Sequence, residues 1–138
     1  MKDKTLPKYH QITCGFLSLW YAGIAVPMLL DPGGWYASTP GVPSTGPMNS
    51  HFIRDIGAAF LMTGMAFGIA TRSSANWAAV AIGAVFPTIH GGIHAFDLLS
   101  SHSHDSAATD FFGVVMPGAL SFLLALQAIT RELKKEKI

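Results

Sequence analysis

His51-Phe-Ile-Arg-Asp-Ile-Gly-Ala-Ala-Phe-Leu-Met-Thr-Gly-Met-Ala-Phe-Gly-Ile-Ala-Thr-Arg72 is the stretch whose reading decides the fold. No charged residue lies between Asp55 and Arg72, and a helix of ~20 apolar residues is long enough to cross a hydrocarbon core of about 30 Å. Polar and charged groups crowd its first turn: His51, Arg54 and Asp55 stand at the mouth of the run. Three further runs of the same kind lie outside it, Ile12–Leu30 before it and Asn76–Leu99 and Phe111–Thr130 after it. Four such runs with short connections predict an all-α, integral membrane four-helix bundle, with residues 1–138 forming a single domain. The composition agrees. Half of the 138 residues are hydrophobic and 12% are charged, against about 25% charged in soluble domains.

The first run is longer than the apolar core of a secretory leader, carries Trp20 and Tyr21, and continues into Leu-Leu-Asp31-Pro32 rather than a small-residue cleavage site. It reads as a retained helix. Cys14 is the only cysteine, which excludes an intrachain disulfide. A net charge of +1 without a basic stripe gives no reason to expect nucleic acid as a partner.

Basic residues set the expected orientation. Lys2, Lys4 and Lys8 precede the first run, Arg72 follows the second, and Arg131, Lys134, Lys135 and Lys137 follow the fourth. The positive-inside rule puts these, and both termini, in the cytoplasm. The Asp31–Ser50 and Ser100–Asp110 connections then face outward, with five of the six histidines and five of the eight acidic residues. The longer connection is rich in Gly, Pro, Ser and Thr and reads as irregular backbone built from turns. Trp35 and Tyr36 suit the headgroup level, so a structured lid over the outer end is expected. Asn49 or Ser50 is the expected N-cap of the second helix. Pro27 should interrupt or cap the first helix, Pro87 with Gly91-Gly92 should kink the third, and Pro117 should bend the fourth. Gly64-x-x-x-Gly68 permits close helix contact, either within the bundle or in a dimer, and packing within the bundle is the preferred reading.

Ionisable side chains at membrane helix ends are costly and mark functional sites. On the third run His90, His94 and Asp97 fall within a sector of roughly 60°, and on the second His51 and Asp55 share a face. An antiparallel hairpin would bring the two sets to one end. Imidazoles with carboxylates as co-ligands suit zinc, copper or non-haem iron, so His51, His90, His94, Asp55 and Asp97 are the candidate metal ligands. Arg54 could pair with carboxylates or receive an anionic substrate, a headgroup or a haem propionate. His102 and His104 read as residues of a solvated loop, and His10 belongs to the opposite side. Met62 and Met65 read as core filling.

Trp35-Tyr36, Pro40-Gly41-Val42, Thr45-Gly46-Pro47 and the His51-x-x-Arg54-Asp55-x-Gly57 segment resemble small bacterial four-helix membrane proteins broadly similar to the DoxX-like group. That resemblance implies a respiratory-membrane setting, since DoxX-like relatives include accessory subunits of quinone-linked oxidoreductases, and it assigns no site residues. Three functions are therefore expected as alternatives. The first is transition-metal binding, copper or zinc, in a redox or hydrolytic role. The others are a structural accessory subunit of a larger membrane complex, alone or as a homo-oligomer, and b-type haem ligation by histidines of the second and third helices.

Overall fold

The computed structural model describes residues 7–72, 76–100 and 106–135. His102 and His104 lie outside these residues. Helix α1 spans Lys8–Leu30, α2 Pro32–Ser38, α3 Ser50–Arg72, α4 Trp77–Gly83, α5 Val85–Leu99, α6 Ala107–Asp110 and α7 Met116–Lys135. A 3-10 turn covers Val42–Thr45, and a π-helical segment, Phe111–Val115, joins α6 to α7. Four helical stretches are long and apolar enough to cross a membrane: Lys8–Leu30, Ser50–Arg72, Trp77–Leu99 and Ala107–Lys134. The chain is thus an integral membrane protein with an all-α, four-helix bundle. Its exterior fits that solvent, since Ile12, Leu19, Met62 and Ile82 each expose more than two thirds of their surface.

Successive spans run antiparallel, and glycine sets how closely they approach. Ser18 Oγ of α1 donates to the Gly64 carbonyl of α3 at 2.7 Å. A Cβ on Gly64 would lie 3.0 Å from the Ser18 carbonyl oxygen and 3.2 Å from the Ala22 nitrogen. Gly57 is equally tight against Met28, and Gly68 against Ser18. The small-residue pattern of α3 is therefore consumed inside the molecule by α1. A second seam joins α5 to the last span, where a Cβ on Gly118 would stand 2.5 Å from the Pro87 carbonyl oxygen and 3.2 Å from the Gly91 Cα.

Between the seams the contacts are made by side chains. The buried face of α1 is Cys14, Leu17, Tyr21, Ala25 and Met28, the three-and-four spacing of an amphipathic helix. Tyr21 stacks on Phe60 and Phe67 of α3, with ring centroids 5.8 and 6.1 Å apart. Its hydroxyl donates to Ser121 Oγ at 3.0 Å, because the Ser121 proton is already given to the Pro117 carbonyl at 2.8 Å. At the opposite end from α2, His10 Nε2 donates to the Leu124 carbonyl at 3.2 Å, and Nδ1 lies 3.8 Å from Cys14 Sγ. His10 is completely buried and ties α1 to α7.

The prolines act differently from expectation at two places. Helix α1 continues through Pro27 to Leu30 instead of stopping there; a membrane helix tolerates the lost hydrogen bond where its neighbours support it. In the third span the interruption falls at Ala84, between α4 and α5, and Gly91-Gly92 remain helical. Pro87 explains this position, because its ring displaces the carbonyl four residues earlier, that of Gly83. The long connection is also more regular than expected. Asp31 Oδ1 accepts from the Gly34 amide at 2.9 Å and Pro32 occupies the first turn, so a two-turn helix forms where irregular backbone was anticipated. Tyr36 Oη then donates to the Gly46 carbonyl at 2.7 Å and fastens the rest of the loop. Asn49 caps α3, its Oδ1 accepting from the His51 and Phe52 amides at 3.1 Å each.

Candidate functional site: a cavity at the α2 end

A cavity of about 900 Å³ opens at the end of the bundle that carries α2. It lies in the upper part of the range for small-molecule sites. Trp20, Ile24, Phe60, Phe86, Ile89 and Ile93 supply much of an apolar wall. Trp35, Tyr36, Pro40 and Val42 line it from the first connection, and His90, His94, Thr109 and Asp110 are its main polar groups.

Antiparallel α5 and the start of the last span bring the polar groups together. His94 Nδ1 stands 3.4 Å from Asp110 Oδ1, with side chains 29% and 16% exposed. At that separation the pair is an electrostatic contact, longer than a typical hydrogen bond. A neutral ring with its proton on Nδ1, toward the carboxylate, leaves Nε2 as an acceptor. No described residue hydrogen-bonds to that nitrogen. One turn earlier, His90 stacks on Phe86 (centroids 5.4 Å apart, 13° between planes) and meets Phe60 and His94 edge-on at 5.5 and 4.8 Å. Among the described residues neither ring nitrogen of His90 has a hydrogen-bond partner. The indole Nε1 of Trp20 is a buried donor that also lacks one.

Asp110 is held from behind. Ser106 Oγ, on a buried residue, donates to Asp110 Oδ2 at 3.3 Å. Gly41 of the first connection has φ +84°, and a Cβ there would strike Ser106 Oγ and Cβ. The loop therefore rests on Ser106, Ser106 on Asp110, and Asp110 on His94. Gly41→Ala adds a left-handed penalty of about 1–2 kcal/mol to that collision. It should speed amide hydrogen exchange over residues 36–45 while leaving α1 and α3 unchanged; equal exchange in both proteins would show that the loop is not held at this point.

The sequence-derived candidates divide between two places. His90 and His94 line the cavity, while His51, Arg54, Asp55 and Asp97 do not. His51 Nε2 and Asp55 Oδ2 pair at 3.5 Å on the outside of α3, with side chains 90% and 60% exposed. Arg54 Nε donates to the Leu29 carbonyl at 3.2 Å, satisfying a group at the end of α1. Asp97 is half-buried one turn beyond His94. Among the described residues no three His, Cys, Asp or Glu are grouped so as to hold a metal ion. Asp110, which the sequence reading did not single out, is the carboxylate that meets a histidine in the cavity. The available signal was its place at the start of the fourth apolar run, opposite the end of the third. No family model, curated protein or solved structure matches this chain.

Proposed function

We propose that this membrane protein binds a neutral amphipathic molecule in the cavity, with the head group on His94 and the apolar body against the Phe60–Phe86–Ile93 wall. The observation that carries the reading is the His94–Asp110 pair standing on an otherwise largely apolar cavity wall. A carboxylate-oriented imidazole presents a lone pair, so the preferred head is a hydrogen-bond donor such as an alcohol or phenol. An anionic head would be repelled by Asp110. His90 offers a second polar contact one turn deeper. On the charge asymmetry, the cavity faces outward from a bacterial inner membrane and both termini lie in the cytoplasm. In a Cys14→Ala background, a thiol at Ser38 should react with an impermeant reagent in intact cells and one at Lys134 should not; the reverse pattern would turn the site inward.

A transition metal is the second reading, favoured by the adjacent His90 and His94 rings with Asp110 beside them. Copper or zinc there would require the three side chains to turn toward one point. The exposed His51–Asp55 pair and Arg54 would then serve the protein surface, which fits docking to another subunit of a respiratory-type complex. Mass spectrometry of an organic extract, with elemental analysis of the same purified protein, separates the readings. The expected result is a co-purifying neutral amphipath that is lost in His94→Ala. Stoichiometric copper or zinc without it would replace the proposal with the metal reading, an absorption spectrum of bound haem would select that cofactor, and an empty folded protein would leave the role of a structural subunit.

A further inference from the structure

The cavity has a neighbour on the lipid-facing side of the bundle. A groove of about 370 Å³ between α1 and α7 is lined by Phe16, Trp20, Met116, Ala119, Leu120 and Leu123, with Pro117, and is almost wholly apolar. Among the described residues Trp20 alone lines both spaces. It sits near the middle of α1, whereas tryptophan in membrane helices favours the headgroup level, where its N–H is wet. Among the described residues its indole N–H is instead buried without an acceptor, which is rare for a buried polar group.

We propose that the occupant of the cavity enters sideways from the bilayer, through the α1–α7 groove and past Trp20, and leaves its chain in that groove. This rests on the reading of the cavity as an amphipath site and narrows it to a lipid-dissolved, long-chain molecule. Three features support the route. The groove offers the entering molecule hydrocarbon-like walls, so the chain need not cross water. Trp20 lines both spaces, so its side chain is part of the wall they share. The indole N–H, without an acceptor among the described residues, can donate to the hydroxyl of a passing head group. A compact water-soluble ligand would have no use for the groove or for a donor at that depth.

The test uses the full-length protein in phosphatidylcholine vesicles and a hexadecanol bearing a nitroxide midway along its chain. Growth of the immobilised spectral component after mixing reports binding, and competition by unlabelled hexadecanol isolates the saturable part. Ala119→Phe fills the groove at an exposed position and should slow association about tenfold. Trp20→Ala removes the side chain common to both walls and should speed it. Ala78→Phe, exposed on α4 and away from both spaces, should leave the rate as it was. If wild-type binding is saturable and lost in His94→Ala, yet the Ala119 and Trp20 variants associate at the wild-type rate, lateral entry is wrong and the cavity reading stands. If wild type shows no saturable component, both fall.

Discussion

Gly118→Ala, a single added methyl, should destabilise the bundle by about 3 kcal/mol or more. Overpacking usually costs about 1–3 kcal/mol, because displaced side chains absorb much of it. Here the added Cβ would meet the Pro87 carbonyl oxygen at 2.5 Å and the Gly91 Cα at 3.2 Å, and both are backbone. The only relief is for the last span to move away from α5. Gly92→Ala supplies the control with opposite sign. Nothing lies within 4 Å of its Cβ position, so the substitution removes unfolded-chain entropy and should stabilise the helix by roughly 0.5–1 kcal/mol. Thermal unfolding in a mild detergent should therefore move in opposite directions for two Gly→Ala changes. Similar midpoints for the two would mean that the α5–α7 seam is looser than described.

The His94–Asp110 pair should show strong non-additivity. His94→Ala leaves the Asp110 carboxylate in largely apolar surroundings with Ser106 as its remaining described hydrogen-bond partner. Leaving one member of a polar contact buried without its partner costs about 1–3 kcal/mol, and that range is expected here, where both side chains keep some exposure. Asp110→Asn removes the charge and should cost less. The double variant should be more stable than His94→Ala alone, giving a coupling of about 1–2 kcal/mol between neighbouring sites. Chemical unfolding of the four proteins gives this number directly. Simple additivity would show that the two groups do not interact, and would remove the basis for assigning the His94 tautomer.

The four spans are legible in the sequence because the bilayer imposes both their length and their apolarity, and Asn49 because a cap is a local device. Local chemistry also explains what was misread. Asp31-Pro32 is a helix-start signal, but the glycines and prolines around it suggested turns. Pro87 marks a break, though the break belongs a turn earlier, at Ala84. The site was harder to read. Helical spacing correctly puts His51 with Asp55, and His90 with His94, but a shared face carries no direction. His51 and Asp55 turn outward, whereas His90 and His94 turn inward. Asp110 meets His94 only through the register of α5 against the last span, and that register is set by Gly91 and Gly118. Nothing in either glycine indicates its partner before the chain is folded.

The two glycine seams also divide the molecule by how freely it can change. Along α1–α3 and α5–α7 the backbones touch, so these lines have no room for new side chains. The cavity lies where the two pairs face one another through Phe60, Phe86 and His90, and there the contacts can be exchanged without moving a helix axis. A scaffold arranged this way can acquire a different preference at its wall by point changes alone. Substitution tolerance along the chain should accordingly fall into two registers, with strict glycine positions next to permissive aromatic ones, and ligand choice free to drift while the architecture stays fixed.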